Sequence, residues 1–366
     1  MIATFIFIGF LIIGILIFLQ HPLFGKKPSG KRLSRIEQSK NHKKGQFQNL
    51  SKTPALAEDT SYFEALKELL FPKIQNTKPT DTIPHIKTNL HDLDIQEDYL
   101  IWFGHSSYFM QIDHKSFLID PVLTQNASPL YGTNKAFKGA DFFTCESIPT
   151  IDYLILTHDH YDHLDYTTFK KIKHKVSQII CPLGVGAHLE HWGFPSNNII
   201  ELDWYEQTVL NNSITLTATP SRHFSGRSFK RNNTLWASYV LKSEKLKLFL
   251  GGDSGYDFHF KEIGFNHGPF DWAILENGQY DKKWKYIHLL PDDLLKATQD
   301  LNTKRLLPVH HSKFKLANHP WKEPLKKIAQ NAEKIKDVKV ATPMIGEIVY
   351  LNSDQQSFKH WWKNIN

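Results

Sequence analysis

The stretch Tyr153-Leu-Ile-Leu-Thr-His158-Asp-His160-Tyr-Asp162-His163-Leu-Asp165 decides how this chain is read. An apolar run with strand-like residue types stops at Thr157. His158, His160, Asp162 and His163 follow at once, at the end where that strand delivers its chain. Positions 158 and 160 fall on the same side of an extended turn, so their imidazoles can grip one cation. Asp162 and His163 come as the chain turns into the next helix and can face a second cation. Asp165 is placed to accept the remaining ring N–H of a ligand histidine and fix its tautomer. Packing so many carboxylates and imidazoles behind a buried strand is costly unless a cation neutralises them.

Three single residues further along share that placement. His223 lies in Thr219-Pro-Ser-Arg-His223-Phe-Ser-Gly, a turn after a strand. Asp253 lies in Phe249-Leu-Gly-Gly-Asp253-Ser-Gly-Tyr, where glycines let the backbone approach a site closely. His310 closes the strand Leu306-Leu-Pro-Val-His310. Taken singly, each has a plain reading as a capping carboxylate or a hydrogen-bonded strand-end histidine. Their common position at strand C-termini makes them candidates to complete the metal shells.

The surrounding pattern sets the fold class. Strand-like runs cover Tyr99–Phe103, Tyr108–Ile112, Ser116–Ile119, Ile214–Ala218, Trp236–Leu241, Lys247–Leu250, Trp272–Leu275, Arg305–Val309 and Ile348–Leu351. Helical spacing covers Ser61–Phe71, Tyr166–Ile172, Pro291–Leu301 and Pro324–Lys336. Hairpins come first, and strands later alternate with helices. That order favours two sheets with helices outside over a doubly wound parallel sheet.

Composition narrows the chemistry. The 366 residues include 20 histidines but only two cysteines, Cys145 and Cys181. There is no disulfide framework and no cysteine metal site. A metal here must be held by imidazole and carboxylate, which suits zinc, iron or manganese better than copper(I). The net charge of +7 is concentrated in Lys26, Lys27, Lys31, Arg32, Arg35, Lys40, Lys43 and Lys44. Charge bunched in this way points to anionic lipid as the partner, and nucleic acid is not expected.

Ile2–Leu19 carries no charge and is mostly Ile, Leu and Phe. It predicts an uncleaved transmembrane helix, because no basic residue precedes it and no small-residue cleavage site follows. The basic cluster after it would place the bulk of the chain in the cytoplasm. The expected organisation is a membrane anchor over residues 1–24, a basic linker and N-terminal extension over 25–95, and a metal-binding domain over 96–366.

The HxHxDH pattern of His158, His160, Asp162 and His163 resembles the signature of the metallo-β-lactamase fold superfamily. Within it the chain looks like the branch containing N-acylphosphatidylethanolamine-hydrolysing phospholipase D and related lactonase-like enzymes. The segments that carry this are Trp102-Phe-Gly-His105-Ser-Ser, Ile119-Asp120-Pro121, Gly251-Gly-Asp253-Ser-Gly-Tyr, Glu276-Asn-Gly-Gln-Tyr280 and Pro308-Val-His310-His-Ser-Lys-Phe314. The likeness spans roughly residues 95–351, and Ser254 stands where threonine is usual.

The resemblance implies an α+β fold, a four-layer αββα sandwich with metals at one edge. It implies two zinc ions, or other divalent transition metals. His158, His160 and His223 would hold the first, and Asp162, His163 and His310 the second, with Asp253 bridging. His311 competes with His310 for its place. Asp120 and His105 would support the ligands from behind. Asp162, Asp253 and His288 would be the catalytic groups, with His288 a candidate proton donor to the leaving group. The implied activity is phospholipase D-type hydrolysis of a membrane lipid phosphodiester. The alternatives are a lactonase or esterase acting on a soluble substrate, or a non-catalytic membrane scaffold.

Overall fold

The computed structural model describes residues 2–58, 60, 61, 63, 64, 67, 71, 73–335 and 337–366. Two seven-stranded sheets face each other, and each is half antiparallel and half parallel. Sheet one contains β3 (Tyr99–Trp102), β4 (Tyr108–Ile112), β5 (Lys115–Ile119), β6 (Ile151–Ile155), β7 (Val176–Pro182) and β8 (Ile199–Leu202), and β16 (Ile348–Tyr350) pairs with β3 at its edge. Sheet two runs β9 (Gln207–Val209), β10 (Thr215–Thr219), β11 (Ser238–Lys242), β12 (Lys247–Leu250), β13 (Trp272–Glu276), β14 (Arg305–Val309) and β15 (Lys339–Val340). A short hairpin, β1 (His42–Lys43) with β2 (Gln46–Phe47), stands apart.

Alternation along the strands sorts side chains into layers. In sheet two, Leu248, Leu250, Trp272, Ile274, Leu307 and Val309 join the core between the sheets. Their neighbours Phe249, Ala273, Leu275 and Leu306 point the other way. There they pack on the helices His259–His267, Pro291–Asp300 and Glu323–Asn331 through Phe260, Ile263, Leu294, Leu295, Ala297 and Ile328. In sheet one, helices Tyr166–Ile172 and Gly186–His191 connect the parallel strands β6, β7 and β8. The expected pair of sheets with helices outside is therefore present.

The expected transmembrane helix is not. The N-terminal helix runs Ile2–Phe18, which is 17 residues. At about 1.5 Å per residue it reaches roughly 26 Å, short of a hydrocarbon core of about 30 Å. No helix among the described residues is long and apolar enough to cross a membrane. The single-pass anchor fails with it, as does the cytoplasmic orientation inferred from charge beside a span.

The stretch expected to be a linker is folded and packed. Gly30–Gln38 is a helix that buries Ile36. Arg32 pairs with Glu190 at 2.7 Å and with Glu201, and Arg35 pairs with Glu206 at 2.6 Å. Two of the basic residues assigned to lipid are thus committed to carboxylates of the sandwich. The helix expected over Ser61–Phe71 lies for the most part outside the described residues.

Candidate metal centre

One edge of the sandwich gathers the C-terminal ends of six strands. β3 leads to His105, β5 to Asp120, β6 to the loop from His158 to His163, β10 to His223, β12 to Asp253 and β14 to His310. Parallel pairing of β12, β13 and β14 puts Leu250, Ile274 and Glu276, and Val309 at that same edge. The turns are tight. His105, Asp120 and His310 have positive φ angles of 54°, 41° and 66°, a region non-glycine residues seldom enter and one found repeatedly at functional sites. Gly252 (φ +61°) lets the Asp253 loop lie against Thr157, because a Cβ there would come within 2.8 Å of that side chain.

Three ring nitrogens converge first. His158 Nε2 and His223 Nε2 lie 2.9 and 3.2 Å from His160 Nδ1. His223 Nδ1 donates to the carbonyl of Ile287 at 2.8 Å, so its Nε2 keeps a lone pair facing the cluster. Burial pushes the pKa of His158, His160 and His223 down, so these rings are held neutral, the form that ligates metal.

A second group forms from His105, Asp162, His163 and His310. Asp120 Oδ2 accepts from His163 Nδ1 at 2.8 Å, while its carboxylate also takes Thr157 N–H and O–H at 2.9 and 2.6 Å. That orients His163 with Nε2 inward. His105 Nε2 lies 2.9 Å from Asp162 Oδ2, and Ser106 Oγ lies 2.8 Å from His310 Nδ1.

Asp253 stands between the two groups. Its Oδ1 is 3.2 Å from both His163 and His310, and its Oδ2 is 3.9 Å from His158 and 3.7 Å from His223. Burial alone would raise its pKa, but the surrounding imidazoles, His163 and His310 first, hold it well below the usual carboxylate range. Burial likewise opposes a charge on His163, yet Asp253, Asp162 and Asp120 outweigh it and raise its pKa. Among the described residues, His163 Nε2, His310 Nε2 and Asp253 Oδ1 are buried without a hydrogen-bond partner. Orphaned nitrogen and carboxylate atoms in this arrangement are what divalent cations would satisfy, so the residues present fit a metal pair.

The structure separates the expected residues. His158, His160, Asp162, His163, His223, Asp253 and His310 all come together, Asp120 supports His163 from behind, and His105 joins the second group beside Asp162. His311 turns away, with its ring nitrogens against the Pro308 carbonyl and Ser312 Oγ. Among the described residues, Asp165 orients no histidine. Its carboxylate caps the helix Tyr166–Ile172 by accepting from Thr168 N–H and O–H at 2.9 and 2.6 Å.

His288 is at the site, its Nδ1 2.6 Å from Glu276 Oε2. The sequence reading assigns Glu276 no role. Its other oxygen accepts the backbone N–H of Ser254 and Leu289 at 2.8 and 3.0 Å. Burial raises the pKa of Glu276, and Glu276 in turn raises that of His288 against the opposing effect of burial. The sequence signal was available, since Glu276 closes an apolar strand before Asn-Gly just as Asp253 follows one.

A cavity of about 720 Å³ opens onto His160, Asp162, His223, Asp253, His288 and His310. Leu56, Phe224, Phe229, Trp284, Ile287 and Leu316 give it apolar walls, and Lys230 and Arg231 add positive charge.

Residues 115–311, more than half of the chain, match the family model described as a beta-lactamase superfamily domain. An uncharacterized protein of Mycobacterium tuberculosis is 35% identical over 331 residues, covering 89% of this chain and 88% of the relative. The N-acyl-phosphatidylethanolamine-hydrolyzing phospholipase D 1 of Caenorhabditis elegans is 28% identical, covering 68% of this chain and 75% of its own length. Among solved structures, Igni18, a metallo hydrolase from Ignicoccus hospitalis, superposes with a TM-score of 0.52 at 20% identity, covering 69% of this chain and 97% of that one. This last likeness concerns the fold alone.

Proposed function

The chain belongs to the metallo-β-lactamase superfamily and is a metal-dependent hydrolase, and on that premise we propose that it is a binuclear zinc phosphodiesterase of phospholipase D type. Its substrate in this reading is an N-acylphosphatidylethanolamine-like lipid, drawn from a phospholipid surface. The observation that carries the reading is Asp253, set between two groups of buried ligands on a cavity with apolar walls and a cationic side. An anionic amphiphile matches such a cavity better than a small neutral ester does. The phospholipase D relative adds support for this substrate class.

His158, His160 and His223 would hold one zinc ion, and Asp162, His163 and His310 the other, with Asp253 shared. Bound zinc would bring the pKa of water near neutrality and offset charge building on phosphoryl oxygens, an effect worth several kcal/mol. Asp253 orients the attacking water through its buried carboxylate. His288 carries a proton, kept there by Glu276, and lines the cavity where the leaving alkoxide must be protonated. Lys230 and Arg231 attract the anionic headgroup, and the apolar walls receive acyl chain.

The test is a product assay with zinc-loaded full-length protein. Vesicles containing N-acylphosphatidylethanolamine should yield phosphatidic acid and an N-acylethanolamine, and Asp253→Asn should abolish both. Turnover of lactones with no release of phosphatidic acid would reject the phosphodiesterase reading and favour the lactonase alternative.

A further inference from the structure

His223 depends on a residue 174 positions upstream. Asn49 makes a two-point clamp on its backbone. Asn49 Nδ2 donates to the His223 carbonyl at 2.7 Å, and His223 N–H donates to Asn49 Oδ1 at 3.1 Å. Trp236 Nε1 donates to the same Oδ1 at 3.1 Å. Three contacts fix the amide orientation, since exchanging O and N would set two donors against the NH2 group and a carbonyl against the oxygen.

Asn49 belongs to an N-terminal strap fastened on both sides of it. Upstream, Arg35 holds Glu206 at 2.6 Å and Phe47 N–H donates to the Asn232 carbonyl at 2.9 Å. Downstream, Arg222 donates to Thr53 Oγ1 at 3.0 Å and to the Lys52 carbonyl at 2.9 Å. Gln46, Asn49, Thr53, Ala55 and Leu56 line the cavity over the metal centre.

We propose that Asn49 is a positioning residue for the first metal subsite, which makes the N-terminal strap an integral wall of the catalytic site. The inference rests on the metal-centre reading given above. His223 has two anchors. Ile287 sets the ring tautomer through Nδ1, and Asn49 sets the backbone from which the ring projects. With either anchor lost, Nε2 drifts from the point where His158 and His160 converge. Residues that orient ligands from behind in this way typically account for about 10–100-fold in metal affinity.

The experiment measures zinc affinity by competition with a chromophoric chelator, using metal-stripped full-length protein. Asn49→Asp keeps size and the acceptor oxygen but sets a second oxygen against the His223 carbonyl. Two zinc ions bind the wild type, and in Asn49→Asp one of them weakens by about tenfold or more. Arg35→Ala removes one exposed fastening far from the site, while the Phe47 and Arg222 contacts still hold the strap around Asn49, and leaves both affinities unchanged. Should Asn49→Asp fail to fold, Trp236→Phe removes one contact to Oδ1 and should weaken the same site about two- to fivefold. Unchanged affinities in the Asn49 or Trp236 variant, or an equal loss in Arg35→Ala, overturn the positioning role alone. A wild type that takes up no zinc overturns the metal-centre reading and this inference with it.

Discussion

Lys313 is buried among the loops that carry the site, and its replacement by methionine gives a pH-dependent signature. Its Nζ donates to the carbonyls of Val122 at 2.8 Å and Phe103 at 3.3 Å. It thereby ties the turns of His105 and Asp120 to the loop that follows His310. No carboxylate lies within ion-pair distance among the described residues. Burial lowers the Lys313 pKa from its ordinary value of 10.5 to about 8. Below pH 8 the ammonium is charged in both folded and unfolded chains, so the full burial cost applies, about 3 kcal/mol. Between pH 8 and 10.5 the unfolded chain binds more protons than the folded one, so stability rises with pH. Lys313→Met removes that cost but leaves two carbonyls short of a donor, at about 1 kcal/mol each. The variant should therefore be more stable than the wild type by about 1 kcal/mol at pH 7. That difference should shift by about 2–3 kcal/mol toward the wild type at pH 10. Urea denaturation of both metal-stripped proteins at the two pH values reads it directly. A difference between the proteins that does not change with pH would mean that Lys313 carries no buried charge whose cost is relieved as pH rises.

Asp253→Asn should lower kcat/KM at least about a thousandfold, the rate equivalent of about 4 kcal/mol of lost metal-side stabilisation, measured with zinc in excess. Asp120→Asn should leave the fold intact by circular dichroism but weaken zinc binding about 10–100-fold, because His163 loses the carboxylate that orients it at 2.8 Å. His288→Gln should reduce kcat about a hundredfold with zinc content unchanged, and a leaving group that needs no proton should recover most of the loss. Gly252→Ala should destabilise the protein by about 1–3 kcal/mol in thermal melts, since its φ of +61° and the nearby Thr157 side chain both oppose a Cβ.

Much of the sandwich was legible because apolar runs mark buried strands locally. The helix Tyr166–Ile172 matched its expected bounds because Asp165 is a strong N-cap. That same fact explains why Asp165 was misjudged, since its carboxylate was already engaged by its own helix. Missed strands had weaker local signals. Gln207–Val209 is a polar edge strand, and Val176–Pro182 ends in Cys-Pro, so neither stands out from loop. The convergence of the candidate ligands was legible because imidazole and carboxylate at strand ends have few other uses in such numbers. Ser106 and Asn49 were not, since a serine or asparagine acquires meaning only from a partner far along the chain. The ion pairs of Arg32 and Arg35 were not legible for the same reason, since Glu190, Glu201 and Glu206 lie far along the chain. The N-terminal helix was overread because composition reports apolarity well and helix ends poorly, and the helix stops at Phe18.

Whether two metal ions share Asp253 is decided by anomalous diffraction at the zinc edge from crystals of the zinc-loaded full-length protein. Two peaks are expected about 3.5–4 Å apart, one against His158, His160 and His223, the other against Asp162, His163 and His310, with Asp253 between them. A single peak, or peaks away from Asp253, would contradict a shared pair.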